Sequence, residues 1–225
     1  VRVLAIDTAM ASCSVAVVDT HANEPVAIAS EPMERGQAEA LMPMLAEILI
    51  RAGGLGTIER IAVTTGPGSF TGLRIGLAAA RGLGLVSGVP IVGLTTLTVL
   101  AAPYIVEDDR RPVAAAIDAR HGRVFLHMFA PGGRTLVNPR CAPARDAARA
   151  IGTGPVRLIG SGAEMVAQVS DFPGGATVID ASPVPDIIWV ARLGAAIEPA
   201  AAPPKPFYLL APDARPQQGG GIARR

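Results

Sequence analysis

Residues 1–7 read VRVLAID, and residues 112–118 read PVAAAID. Each is an apolar run that ends Ala-Ile-Asp. Each leads through a short turn into a second apolar run, SVAVVDT (14–20) in the first case and RVFLHMFA (123–130) in the second. Runs of this length bounded by turn residues read as buried strands joined in hairpins. A third strand follows on each side, PVAIAS (25–30) and GGRTLVN (132–138). Three matching residues carry little weight alone. The same strand order on both sides of the charged link EDDRR (107–111) argues for an internal duplication.

The rest of the chain extends both halves. GQAEALMPMLAEILIRAGG (36–54) repeats apolar residues at positions 41, 44, 45, 48, 49 and 52, which is helical spacing. Pro43 is expected to kink this helix or mark its true start, and Gly53-Gly54 to end it. IERIAVTTG (58–66) reads as a fourth strand, 69–87 as a second helix, VPIVGL (89–94) as a fifth strand and TTLTVLAAP (95–103) as a short third helix. After the link come a helix at PARDAARAI (143–151), a strand and glycine turn at VRLIGSG (156–162), and a helix at AEMVAQVS (163–170). A strand at ATVID (176–180) and a last helix at DIIWVARLGAAI (186–197) complete the half. The expected organisation is α/β in two lobes: an N-terminal lobe over 1–106, joined by a returning helix 186–198, and a C-terminal lobe over 107–185. An extended tail follows over 199–225. A duplicated meander with an acid at each first turn resembles the actin-like ATPase fold (ASKHA, a duplicated ribonuclease H-like fold), in which the two turns face each other across a nucleotide cleft. That is fold analogy and carries no function by itself.

Composition narrows the function classes. The chain has 225 residues, half of them hydrophobic, and a net charge of +1. A near-neutral chain lacks the basic footprint of an autonomous, tight nucleic-acid binder. Of its 20 basic residues only Lys205 is lysine, which reads as genomic base composition. The two cysteines, Cys13 and Cys141, sit on unrelated segments and suggest no disulfide framework. The uncharged stretch 82–106 is punctuated by Ser87-Gly88-Val89-Pro90 and by Gly93, so it reads as core and turns, with no membrane span. A cytoplasmic protein is expected.

The stretch GPGSFTGLRIG (66–76) sits between a strand and a helix, the usual setting of a phosphate cradle. A P-loop needs Lys and Ser/Thr directly after its last glycine, and here Leu73 and Arg74 follow Gly72. A dinucleotide fingerprint needs glycine at the position of Thr71. Neither motif is present. Pro67-Gly68 makes a tight turn, and Ser69 and Thr71 are candidate N-caps.

VLAIDTAMASCSVAVVD, GPGSFTGLRIGLAAARGLGL, VPIVGLTTLTVLA, AAIDARHGRVFLHMF and KPFYLLAPDARP together resemble the TsaB (YeaZ) family, over Val3 to about Pro216. That resemblance implies the two-lobed actin-like fold and a small subunit of the machinery that makes threonylcarbamoyladenosine in tRNA. It implies a catalytic paralogue, TsaD, an ATPase partner, TsaE, a homodimer in isolation, and contact with tRNA only through the complex. TsaD-type proteins carry a metal-binding HHMEGH segment. The matching place here, LTTLTV (94–99), has neither His nor acid. His21, His121 and His127 offer no metal cluster, and Ser12, Ser14 and Ser69 lack a G-x-S-x-G context, so a glycoprotease-like activity has no residues to perform it.

Two sets of residues follow as candidates. Asp7, Thr8, Asp118, Gly160, Ser161 and Gly162 stand where the superfold contacts phosphate and adenosine. They read equally as ordinary turn residues, so no cofactor is required and at most weak ATP or ADP binding is expected. Leu41, Leu45, Ile48 and Leu49 on the first helix, with Gly72, Leu73, Gly76 and Ala80 on the second, are expected to pair with the equivalent helices of a partner. Small residues at four-residue spacing leave a groove for a close helix. The expected function is a non-catalytic scaffold or activator subunit. The alternatives are an autonomous ATP-dependent small-molecule kinase, motivated by the paired turns, and a tRNA-binding module built on Arg120, Arg123, Arg145, Arg149 and Arg157.

Overall fold

The computed structural model describes residues 1–107, 110–170 and 175–210. The 211–225 part of the expected tail and two residues of the charged link lie outside the described residues. The chain forms two five-stranded sheets. The first uses β1 (Arg2–Asp7), β2 (Ser12–Asp19), β3 (Ala27–Pro32), β4 (Arg60–Gly66) and β5 (Ile91–Thr95), in the order β3-β2-β1-β4-β5. The second uses β6 (Val113–Asp118), β7 (Arg123–Phe129), β8 (Thr135–Pro143), β9 (Val156–Ile159) and β10 (Ala176–Asp180), in the order β8-β7-β6-β9-β10. These are the same order. In each sheet the first three strands are antiparallel, and the fourth and fifth run parallel to the first. The duplication suggested by the two Ala-Ile-Asp turns holds strand for strand.

Among the described residues six α-helices cover the sheets: α1 (Gln37–Arg51), α2 (Phe70–Ser87), α3 (Thr96–Val106), α4 (Ala144–Ile151), α5 (Ala163–Gln168) and α6 (Ile187–Ala196). Alternation along the strands decides which face each residue serves. Leu4 and Ile6 point with Val15, Val17, Ile61 and Val63 into the layer under α1 and α2. Val3, Ala5, Ala16 and Ala62 point the other way, onto α6. In the second sheet Ala114, Ala116, Leu126 and Leu158 meet α4 and α5, while Val113, Ala115, Ile117 and Ile159 meet α3. The last helix of each half therefore lies on the sheet of the other half. Arg60 fixes the returning helix: its Nη1 donates to the carbonyls of Gly194, Ala195 and Ile197 at 3.0, 2.8 and 3.0 Å. These are among the last carbonyls of α6 and of the residue after it, which have no partner within the helix.

Two local expectations change. Pro43 does not start α1; the helix runs from Gln37 through it. Pro43 is exposed, so the carbonyl that loses its partner faces water. The third strand of the second half starts later than expected and runs longer. Gly132 and Gly133, at φ 80° and 87°, make the hairpin turn, and β8 begins at Thr135. Pro139 and Pro143 are tolerated because β8 is an edge strand.

Candidate functional site

The two Asp-ended strands finish at the same end of the molecule, and a cleft of about 570 Å³ opens between their turns. One wall comes from residues 9–11 and 67–70 and the other from 117–120 and Phe125, with residues 207–210 alongside. Its size suits a small ligand or part of a larger one.

The first turn is closed over. Ser69 caps α2 by accepting from the Gly72 amide at 3.3 Å, and its own amide donates to the Ala9 carbonyl at 2.7 Å. The Thr8 hydroxyl donates to the Gly72 carbonyl at 2.7 Å. A Cβ on Gly72 would lie 2.0 Å from the Thr8 carbonyl oxygen, and one on Gly68 would lie 2.2 Å from that of Ala9. The GPGSFTG stretch is thus a lid seated directly on the β1–β2 turn, and its glycines are there because the backbones touch. Asp7 lies beneath, fully buried. Its Oδ1 accepts from the Ala9 amide at 3.1 Å and from the Thr64 hydroxyl, while Oδ2 has no partner. Burial pushes its pKa above the usual carboxylate range, against the pull of those two donors.

The second turn is open. Asp118 is exposed at the cleft; its amide donates to the Ser161 hydroxyl at 3.1 Å, and its Oδ1 accepts from the Arg120 amide at 2.7 Å. Arg120 and His121 both adopt positive φ, 65° and 52°, at the tip of this hairpin. Gly160 and Gly162 press on the backbone of β6, the first 2.5 Å from the Ala116 carbonyl oxygen when given a Cβ. Of the six residues expected to contact a nucleotide, only Asp118 lines the cleft, with Ser161 bonded behind it. Asp7 and Thr8 are sealed under the lid. In the first turn the Asp7 carboxyl is buried and the carbonyl and amide of Ala9 are already bonded within the chain, while Met10 and Ala11 line the cleft.

The chain's own C-terminal segment completes the site, and sequence reading missed it. The Phe207 amide donates to the Thr65 carbonyl at 2.7 Å, Arg81 Nη2 to the Pro204 carbonyl at 2.6 Å, and the Gly93 amide to the Ala202 carbonyl at 2.8 Å. Tyr208 then packs on Phe70 at 5.1 Å, and Arg74 lies 3.8 Å over the other partner of that pair, Phe70. The signal was the KPFY stretch, whose aromatic pair in a Pro/Ala-rich tail has no reason to be there unless it docks.

The helix residues expected to meet a partner are placed differently. Leu41, Leu45 and Ile48 are buried on the side facing β2 and β3, and Leu49 packs half-buried on the same cluster. Gly72, Leu73, Gly76 and Ala80 are buried toward the chain's own first turn and sheet. The small-residue stripe brings α2 close to its own strands, which leaves those residues unavailable to another helix. What α1 and α2 present outward is a second apolar strip: Met42, 55% exposed, with Ala46 and Ile50, 79%, on α1, and Ala78, Gly82 and Leu85, 86%, on α2. Arg157, grouped above with the arginines of the tRNA-binding alternative, is 2% exposed and donates to Glu107 and to the Tyr104 carbonyl at 2.9 and 2.6 Å, tying α3 to β9.

Comparison with known proteins now bears on this arrangement. The family model for TsaD, tRNA N6-adenosine threonylcarbamoyltransferase, matches residues 16–157. The chain is 40% identical over 125 residues to the tRNA threonylcarbamoyladenosine biosynthesis protein TsaB of Escherichia coli (strain K12). That match covers 55% of this chain and 53% of the relative, so the chain spans about half the length of that protein in the alignment. It is 32% identical to an uncharacterized protein of Mycobacterium tuberculosis over 95% of this chain and 94% of the other. A Pseudomonas aeruginosa structure described as similar to peptidase YEAZ superposes with a TM-score of 0.76 at 28% identity, covering 93% of this chain and 99% of that one.

The chain belongs to the TsaB/YeaZ family.

The fold is the actin-like one. The Thermus thermophilus ROK hexokinase matches with a TM-score of 0.50 over 87% of this chain at 14% identity, a likeness of architecture alone. The lid, the strap of residues 202–208 and the open second turn are thus features of a chain of the TsaB/YeaZ family. Among the described residues, no helix is long and apolar enough to cross a membrane.

Proposed function

We propose that this chain is a non-catalytic subunit in tRNA threonylcarbamoyladenosine biosynthesis, pairing with a TsaD-type paralogue through the outer faces of α1 and α2. The observation that carries the reading is the outward apolar strip of Met42, Ile50 and Leu85, beside Gly82, next to which there is open space for another helix. Large apolar side chains at these exposures, grouped on two adjacent helices, mark a surface that another protein covers. Arg74 and Arg81 on α2 and Glu39 and Glu47 on α1 supply a charged surround. The same face serves a homodimer when the partner is absent.

The place corresponding to the TsaD metal segment supports a non-catalytic role. Here Thr95 caps α3 by accepting from the Thr98 amide at 3.2 Å, and the two hydroxyls bond to each other at 2.7 Å. These groups serve the helix start and supply no imidazole or carboxylate. tRNA and a TsaE-type ATPase enter through the assembled complex.

The test is a reconstituted modification reaction containing tRNA, the threonylcarbamoyl donor and the TsaD-type and TsaE-type partners, with and without this chain. Modification only in its presence is expected, and Met42→Asp with Ile50→Asp abolishes it while the isolated chain stays folded. Equal modification with and without the chain overturns the proposal.

A further inference from the structure

The residues of the open cleft fit one kind of occupant better than the mononucleotide of the superfold. Arg35, in the loop after β3, and Arg120, at the tip of the β6–β7 hairpin, both line it and are both exposed. Neither guanidinium has an acceptor among the described residues, although Glu34 stands beside Arg35. Between them lie aromatic faces: the Phe70–Tyr208 pair on one side, held by the strap, and Phe125 on the other. Glu34 and Asp118 add carboxylates to the same lining. A simple anion site would not carry those acids. An unpaired nucleotide uses all three kinds of group: its ring stacks on aromatics, its phosphates meet guanidinium, and an exocyclic amine of the base donates to a carboxylate.

We propose that this cleft holds an unpaired nucleotide of single-stranded RNA. The base enters against Tyr208, which Phe70 backs, and the flanking phosphates lie on Arg35 and Arg120. The closed first turn is what favours a strand over a free nucleoside triphosphate. A polyphosphate would find the groups of Asp7, Thr8 and Ala9 already engaged within the chain, whereas a strand crosses the mouth of the cleft and needs only its edges. The inference rests on the tRNA reading above, and it adds to that reading a place on this subunit where RNA is touched.

The experiment titrates the full chain with a single-stranded RNA octamer, the corresponding duplex, and AMP, over a range of salt concentrations. The comparison variant is Arg35→Gln with Arg120→Gln. It removes charge only, because neither side chain bonds to another of the described residues. Binding of the octamer in preference to the duplex and AMP is expected. The double variant should flatten the log–log salt slope by about 1.4, the value for two lost single-strand phosphate contacts. Tyr208→Ala should weaken binding by about fivefold or more through lost stacking. AMP binding as tight as the octamer, equal duplex binding, an unchanged salt slope in the double variant, or no octamer binding at low salt would each overturn the inference. The modification reaction uses the wild-type chain, so its outcome is separate. Modification that needs the chain, together with octamer binding indifferent to the two arginines, removes the cleft site and leaves the function standing.

Discussion

The seating of α2 on the first turn can be tested by making one substitution twice in the same helix. Gly72→Ala and Gly82→Ala both gain helix propensity, which by itself stabilises a helix interior by about 0.8–1 kcal/mol. At Gly82 nothing lies within 4 Å of the new methyl, so that gain stands alone. At Gly72 the methyl would sit 2.0 Å from the Thr8 carbonyl oxygen, a backbone atom that cannot turn aside. Relief requires α2 and the β1–β2 turn to separate. Overpacking of this kind costs about 1–3 kcal/mol. Separation also lengthens the 2.7 Å bond from Thr8 to the Gly72 carbonyl, a loss of about 1 kcal/mol for a buried pair. Set against the propensity gain, Gly72→Ala is expected to destabilise by about 1–3 kcal/mol while Gly82→Ala stabilises by just under 1. For a chain of this length, each kcal/mol moves Tm by about 2–4 °C. Thermal and urea unfolding, followed by circular dichroism, read the two signs directly. A Gly72→Ala chain as stable as Gly82→Ala would mean that the lid is not seated on the turn, and the account of the closed first turn would fall with it.

Three further outcomes follow. Replacing Arg60 by Met removes the cation that bonds the carbonyls ending α6; the expected loss is about 2 kcal/mol, seen as a Tm lower by about 4–8 °C, and an unchanged Tm would show that the helix end is held by packing alone. Burial pushes the His127 ring down to about 4 from 6.5, so its contribution is complete above 6.5 and is lost as pH falls toward 4; the wild-type chain should lose up to roughly 3 kcal/mol across that window, and His127→Phe should flatten the fall. Asp7 has the opposite sign: its raised pKa makes the folded state bind the proton more tightly, so stability falls as pH rises through the window above 3.8, and Asp7→Asn should gain stability near neutral pH with the gain vanishing in acid.

The sheets were legible because their chemistry repeats every second residue. Val3, Ala5 and Leu4, Ile6 serve opposite faces, and both faces are covered, so the strands read as continuous apolar runs with turns between them. The duplication was legible for the same reason, since matching strand order needs only the sequence of runs. The faces of α1 and α2 were less so. Helical spacing at 41, 45 and 48 identifies an apolar stripe, but a stripe that packs on a sheet and one that packs on a partner look alike until the sheet is in place. Met42 and Ile50 fall off that stripe, and it is their departure from it that marks the outer face. The strap at 202–208 was hard to read because several of the bonds that hold it are main-chain ones, to Thr65 and Gly93, which leave no residue pattern; only the Phe207-Tyr208 pair signalled it.

The two halves also explain why only one turn is open. Each half ties the loop between its fourth strand and the next helix back to its first turn. In the first half the Ser69 amide bonds the Ala9 carbonyl; in the second the Ser161 hydroxyl accepts the Asp118 amide. The tether is shared and the loops are equally long: Pro67, Gly68 and Ser69 lie between β4 and α2, and Gly160, Ser161 and Gly162 between β9 and α5. They differ in where they come to rest. The first lies on residues 8 and 9, where Gly68 and Gly72 permit backbone contact; the second lies on Ala116 and Ile117 of β6 and leaves Asp118 uncovered. The placement of the loops, with the glycines that permit close approach, thus converts a symmetric fold into a cleft with one buried turn acid and one exposed one. The first wall keeps the Asp7 carboxyl out of reach of any occupant of the cleft, and the second presents Asp118 and Arg120 to it.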